Sequence, residues 1–292
     1  MIFSNRDVEL YYECAGDGPD VLLIHGWASS GRMWRRLVSD LSHALRFWSL
    51  DLAGFGRSTL AADALGLSIQ GHASALIDFC AQKDIHPKVI MGHSMGGMIA
   101  LKMAMMRPDL MDNLILACPT ITGRFAFNTH QLIGSDLGRF VMANSKPLWE
   151  VAQSEMFKQI VPMLLYADKE AERIYEDFKR MSWQGAVTGL DGITRENLGP
   201  HLGKIKQPTL VIVGGNDYTV PPDEGRLAAG TIPRGKLIEF SGSHHQPLDE
   251  EPEHFVSVVR TFLRDHHVLP HQRRHRTVGA EQQTVRPQDE HQ

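Results

Sequence analysis

The residues Gly92-His93-Ser94-Met95-Gly96-Gly97 form a G-x-S-x-G pattern between an apolar run, KVIM, and a helix-like run, MIALKMAMM. A serine on a sharp strand-to-helix turn is held in a strained backbone conformation with its hydroxyl exposed, and small residues two positions to either side keep that turn free of clashes. Gly92 and Gly96 supply the space, which makes Ser94 the candidate nucleophile. A serine hydroxyl is a weak nucleophile near neutral pH, so it needs a base to take its proton and a third group to fix the tautomer of that base. Where a serine sits on such a strand-to-helix elbow the partners follow in the chain order Ser, acid, His, so the acid is expected on a loop after a later strand, and TLVIVGGNDYTVPP puts Asp217 four residues beyond VIV. No Asp or Glu follows the preceding strand, at Pro119-Thr120, to compete for that place. The base is expected after the last strand, where KLIEFSGSHHQPLDEEPEHF offers His244 and His245. Both are open on these grounds, and one of them must face Ser94.

Strand-length apolar runs recur along the chain: VELYY at 8–12, DVLLIHG at 20–26, RFWSLDL at 46–52, KVIMGH at 88–93, NLILAC at 113–118, TLVIVGG at 209–215 and KLIEF at 236–240. Their continuous rather than alternating apolar character predicts strands covered on both faces. Helical stretches lie between them, at 33–41, 68–82 and 96–106, the last stopping at Arg107-Pro108. Strand, helix, strand is the pattern of a doubly wound α/β fold, with a mostly parallel sheet of about eight strands and helices on both faces. The rhythm breaks after Pro119. Residues 120–204 hold helical patterns without a convincing strand and are read as a helical cap inserted into a core domain of 1–119 and 205–264. The cap's Phe125, Phe127, Phe140, Met142, Trp149, Met156, Phe157, Met163 and Leu164 are expected to pack inward and, as a group, to roof an apolar pocket. Residues 265–292, rich in His, Gln and Arg, read as a disordered tail.

With 292 residues, 42% hydrophobic and 22% charged, the chain has the make-up of a globular protein large enough for a sizeable core. A net charge of -4 lacks the basic footprint that nucleic-acid or anionic-membrane binding requires. Cys14, Cys80 and Cys118 are odd in number and widely spaced, which argues against a disulfide framework and a zinc pair. No N-terminal signal and no run of 18 apolar residues is present, so a cytoplasmic location is expected. His267, His271 and His275 have i, i+4 spacing, but Pro270 interrupts them and no metal site is expected. Asp249-Glu250-Glu251 reads as a solvated approach to a helix. A phosphate-binding G-x-G-x-x-G is absent, since Gly54-Phe-Gly56 lacks that pattern.

The elbow, His25-Gly26-Trp27 after a strand, the turn from Asp51 through Gly54 and Gly56 to Ser58, the acid loop and the final histidine loop occur in an order that resembles the α/β-hydrolase fold family over residues 1–264. Members commonly close with Gly-x-Gly-His, then x-Pro and Glu-x-Pro-Glu-x-Phe. That pattern aligns His245 with the catalytic histidine, Pro247 with the Pro, and Glu250, Pro252, Glu253 and Phe255 with the remaining positions, while His244 replaces the second Gly. The resemblance implies a triad of Ser94, Asp217 and His245. It implies an oxyanion hole from the backbone N–H groups of Trp27 and Met95. His25 and Gly26 would form the turn that presents Trp27, with His25 in a structural hydrogen bond, and Asp51, Gly54, Gly56 and Ser58 would buttress the site. Serine at the elbow disfavours dehalogenase and epoxide hydrolase chemistry. HGWASSGRMW with DLAGFGRS resembles the bacterial pimeloyl-carrier-protein methyl esterase group. The expectation is a serine hydrolase that cleaves a carboxylic ester of a small, largely apolar substrate through an acyl-enzyme, without a cofactor. Alternatives on the same fold are a carbon-carbon bond hydrolase of ring-cleavage products, a cofactor-free perhydrolase and a small-molecule receptor.

Overall fold

Alternate residues of the central strands point into two different cores. In strand β3 (Asp20–Ile24), Leu22 and Ile24 join one buried cluster while Val21 and Leu23 join the other. Strand β7 (Asn113–Ala117) splits Leu114 and Leu116 from Ile115 and Ala117 in the same way, and β8 (Thr209–Gly214) splits Val211 and Val213 from Leu210 and Ile212. Burial on both faces is the reason these runs are continuously apolar.

The computed structural model describes residues 1–5, 8–60, 67–125, 129–158, 160 and 170–270. The remaining strands are β1 (Ile2–Ser4), β2 (Val8–Ala15), β4 (Arg46–Leu50), β5 (Thr59–Leu60), β6 (Val89–His93) and β9 (Gly235–Phe240). They form a nine-stranded sheet in the order β1-β2-β4-β3-β6-β7-β8-β9, with β5 beside β2. From β4 to β9 every pairing is parallel, whereas β2 runs antiparallel to β1, β4 and β5. The short edge strands β1 and β5 carry too little apolar pattern to be read from sequence. Register aligns Ile24 with Gly92, His93 with Ala117, and Gly214 with Phe240, so the loops after β3, β6, β8 and β9 leave the sheet at one end. Open α/β sheets bind ligands at that carboxyl end.

Helices α1 (Arg35–Leu41), α2 (Ile69–Gln82), α3 (Met95–Met106), α9 (Pro222–Thr231) and α11 (Pro252–Asp265) belong to the layers on the sheet. Ser68 caps α2 by accepting the Gly71 N–H at 3.1 Å. Helix α3 is buried almost all round, which explains its lack of a polar face. Between β7 and β8 lie α4 (Thr129–Ile133), α5 (Asp136–Ala143), α6 (Lys146–Ala152), α7 (Ala171–Arg180) and α8 (Trp183–Arg195), and no strand occurs there among the described residues. A single-turn helix, α10 (Pro247–Glu250), precedes α11.

Two expectations change here. Phe140 and Met156 are 66% and 78% exposed, so they do not pack inward, although Phe125 and Trp149 do lean on the core. Past Arg264 the chain does not leave the fold at once: Val268 and Leu269 are buried in the second core cluster. Their apolar side chains complete the end of that layer, a role that the surrounding polar composition hides. Phe127, Met163, Leu164, His271, His275 and the tail from 271 lie outside the described residues, as does the Phe157 side chain. Among the described residues no helix is long and apolar enough to cross a membrane, and Cys14, Cys80 and Cys118 are free thiols.

Candidate active site

The turn between β6 and α3 puts Ser94 at φ 53° and ψ -118°, a sparsely populated conformation for a residue with a side chain. Backbone crowding there is severe. A methyl carbon at Gly92 would stand 2.2 Å from the Gly96 carbonyl oxygen, and one at Gly96 would stand 2.3 Å from that of Ile24. Any residue but glycine would open the turn. The Ser94 N–H donates to the Ala117 carbonyl at 2.9 Å, which ties the elbow to the neighbouring strand.

Ser94 Oγ lies 3.0 Å from His245 Nε2, and His245 Nδ1 lies 2.6 Å from Asp217 Oδ2. Because a carboxylate oxygen accepts, the proton belongs on Nδ1, which leaves the Nε2 lone pair facing the serine hydroxyl. Asp217 is fixed through its other oxygen, which accepts the N–H groups of Thr219 at 2.8 Å and Val220 at 2.9 Å. Ser94, Asp217 and His245 are all buried. His244 turns away, with its N–H donating to Glu250 Oε2 at 2.8 Å and its ring 5.8 Å from that of Tyr218. The arrangement can pass a proton from Ser94 to His245 while Asp217 faces the charge that forms.

Three supporting contacts were not legible as such. His93 donates from Nε2 to the His245 carbonyl at 2.8 Å, and the two rings lie 4.8 Å apart. Burial, with His245 nearby, holds His93 well below its ordinary pKa and therefore neutral. The acidic run after the histidine loop is not a solvated approach: Glu250 accepts the N–H groups of His244 and Gln246, Glu251 accepts the Ser243 hydroxyl at 2.6 Å, and Asp249 pairs with Arg173 of α7. Burial outweighs Arg173 and pushes Asp249 up to about 6. Glycine and serine neighbours leave the loop few contacts of its own, so these carboxylates clamp it. Cys118, at the end of β7 with φ 44°, is the third. Its sulfur and the nearest donor atoms of Asp217 and His245 all lie within 4.8 Å of one another, a spacing that a metal ion could use. Here the carboxylate and imidazole are engaged with each other, and burial beside Asp217 pushes the thiol well above its usual range, so it stays protonated at neutral pH.

Across from the elbow, His25 Nε2 accepts the Leu52 N–H at 2.8 Å, so the proton sits on Nδ1, which donates to the Gly26 carbonyl at 2.7 Å. Burial lowers the His25 pKa and keeps it neutral. The Gly26 carbonyl and the Trp27 N–H belong to one planar trans peptide, so holding the oxygen aims the N–H the opposite way. Among the described residues neither the Trp27 nor the Met95 N–H has a backbone acceptor outside regular helix and strand bonding, and Met95 opens α3, where the first N–H groups lack helical partners. The Asp51 turn buttresses this loop. Asp51 accepts the Gly31 N–H at 2.8 Å and Arg57 Nε at 2.8 Å, while Ser58 Oγ donates to the Asp51 carbonyl at 2.6 Å.

Comparison with known proteins places this geometry in context. The family model described as alpha/beta hydrolase fold matches residues 19–252. A pimeloyl-[acyl-carrier protein] methyl ester esterase from Vibrio vulnificus is 24% identical over 256 residues, spanning 87% of this chain and 98% of the relative. Among solved structures, a hydrolase from Pseudomonas aeruginosa superposes with a TM-score of 0.77 at 20% identity, covering 90% of this chain and 97% of that one. A thermophilic esterase from Thermogutta terrifontis gives 0.71 at 25% identity, covering 88% and 94%.

Proposed function

Since the chain belongs to the α/β-hydrolase fold family, we propose that it is a serine hydrolase that cleaves a carboxylic ester of a small, largely apolar substrate through an acyl-enzyme. The observation that carries this reading is the line from Ser94 Oγ to His245 Nε2 and from Nδ1 to Asp217 on a strained elbow. Ser94 attacks the ester carbonyl carbon as His245 takes the hydroxyl proton. The oxyanion that forms accepts the Trp27 and Met95 N–H groups, whose orientation costs nothing at the moment of reaction because His25 and the start of α3 already fix it. His245 then protonates the leaving alkoxide, and the alcohol departs. Water, deprotonated by His245, attacks the acyl group, and Ser94 leaves with the proton returned. Asp217 keeps the imidazole in the required tautomer and stabilises its charged form.

Esters are favoured as substrates by the relatives, one named a methyl ester esterase and one an esterase. The helical insertion is read as a cap, and the reading of an apolar substrate is supported by its Phe125 and Trp149, which pack against the core cluster that also holds Ala28, Phe55 and Met95. The test is hydrolysis of p-nitrophenyl esters of increasing acyl length by the full chain. The expected result is turnover with a preference among the short and medium chains, and a loss on the order of 10⁴ in kcat for Ser94→Ala at unchanged fold. Failure of every ester in the series, or a folded Ser94→Ala that keeps a tenth of the rate, overturns the reading.

A further inference from the structure

Helix α8 touches the Trp27 loop at every level. The Trp27 indole Nε1–H donates to the Ala186 carbonyl of α8 at 2.9 Å. One turn on, a methyl carbon added at Gly189 would stand 2.9 Å from Trp27 Cδ1, 3.3 Å from Phe55 Cζ and 3.4 Å from Met95 Sδ. Gly189 therefore fills the space between the side chains of Trp27 and Met95, the two residues whose N–H groups face the oxyanion in the proposed reaction, and no larger residue fits without moving one of them. The helix start is equally close: the Ser182 N–H donates to the Gly54 carbonyl at 2.8 Å, and a methyl carbon at Gly185 would stand 2.5 Å from the same oxygen. Phe55, which succeeds Gly54 in the chain, packs edge-on against His25 at 5.6 Å between centroids. His25 in turn holds the Gly26 carbonyl. So α8 reaches the Gly26-Trp27 peptide from both sides, through the indole on one and through Phe55 and His25 on the other.

We propose that α8 is a positioning element for the oxyanion hole, and that docking of this helix through Ala186 and Gly189 sets the aim of the Trp27 N–H. The inference rests on the serine hydrolase reading. It makes the helix part of the chemistry's frame as well as a wall over it: when α8 seats, the donor is aimed, and when the helix shifts, the donor shifts with it. Deleting an oxyanion donor outright costs about 10²–10³ in kcat. A donor that is displaced but present should cost less, about tenfold.

The test uses the full chain and two variants. Trp27→Phe keeps the backbone N–H and an aromatic ring but removes the indole donor to Ala186, and Gly189→Ala presses a methyl group onto the ring. The readouts are kcat and KM for p-nitrophenyl butyrate, the midpoint of the kcat/KM pH profile, and inhibition by phenylboronic acid, whose tetrahedral serine adduct carries an oxygen in the oxyanion position. Both variants are expected to lose about tenfold in kcat and a similar factor in boronate affinity, with KM within about twofold and the pH midpoint unmoved, because His245 and Asp217 are untouched. Gln184→Ala, on the exposed side of α8, should match the parent. If the variants raise KM while kcat and boronate affinity hold, or change nothing, α8 does not position the hole. Should Gly189→Ala fail to fold, Trp27→Phe alone decides. A parent enzyme with no esterase activity would instead sink the hydrolase reading, so the two failures are distinct.

Discussion

The two halves of the insertion between β7 and β8 differ in what they bury. Helices α5 and α6 contain no buried residue, and Leu137, Phe140 and Leu148 are each about two-thirds exposed. Helices α7 and α8 bury Ile174, Tyr175, Asp177, Phe178, Ala186 and Ile193. The second half is also bonded to the loops that carry the site. Asp177 accepts Ser30 Oγ at 2.7 Å and Arg32 Nε at 3.0 Å, and α8 meets Trp27 and Gly54. Hydrophobic content does not separate the halves, since the exposed one is the richer in large apolar side chains. What separates them is the presence of small residues and fixed polar partners that let a helix approach the core closely.

The anchoring of the second half depends most on Asp177. Asp177→Ala removes the carboxylate that Ser30 Oγ, Arg32 and Arg173 all face, leaving the largely buried Arg32 guanidinium only the Arg173 carbonyl at 3.4 Å, and should cost about 3–5 kcal/mol by urea unfolding. A loss below about 1 kcal/mol would mean that the second half is no better anchored than the first. Next in size is an effect behind the Gly54-Phe55 turn that α8 meets, where the buried His72 ring lies 6.3 Å from Phe55. Burial, with His25 as the lesser cause, pushes His72 down from 6.5 to about 3. The unfolded chain therefore takes the proton first as pH falls: the neutral histidine's contribution is complete above about pH 6.5, shrinks steadily below it and is gone near pH 3. Relative to His72→Leu, the parent should lose about 3 kcal/mol between pH 7 and pH 4, read from unfolding curves at each pH. Parallel curves would show that His72 is not held neutral. The smallest effect belongs to the exposed half, where Phe140→Ser should change stability by less than about 0.5 kcal/mol. A loss of 2 kcal/mol or more there would erase the distinction between the halves.

What the residues showed by themselves was whatever depends on neighbours close in the chain, while Asp217, His245 and Trp27, far from Ser94, were placed by the order of motifs in the resembled family. G-x-S-x-G between an apolar run and a helical one marks the elbow because the crowding that demands Gly92 and Gly96 is local. The central strands were equally legible, since burial on both faces leaves a continuous apolar run. The supports of the site were not, because their partners are distant in sequence: His93 meets the His245 carbonyl, and Ala186 meets Trp27, across more than a hundred and fifty residues. The run Asp249-Glu250-Glu251 misled for a different reason, since the groups that Glu250 and Glu251 satisfy lie only four to eight residues away, while the Arg173 partner of Asp249 is 76 residues distant. Its charges suit a solvated helix start, and backbone N–H groups leave no mark in a sequence, so the turn that folds Ser243, His244 and Gln246 back onto these carboxylates is not announced. Cys118 gave no signal beyond its count, although it ends the strand beside Asp217. Gly189 carried a weak signal, as one of three glycines at near-helical spacing in WQGAVTGLDG, where a close helix approach is the usual reason for such a cost in propensity.

Activation of Ser94 by His245 is open to direct examination by covalent trapping of the serine. The full chain, Ser94→Ala, His245→Ala and His244→Ala would each be treated with a p-nitrophenyl alkylphosphonate, with p-nitrophenol release timed and the modified peptide located by mass spectrometry. One phosphonyl group is expected on Ser94 in the parent at a rate that His244→Ala nearly retains, a rate lower by about 10³ or more in His245→Ala, and no adduct in Ser94→Ala. Rapid labelling of His245→Ala together with a silent His244→Ala, or an adduct on any residue other than Ser94, would overturn the assignment of the pair.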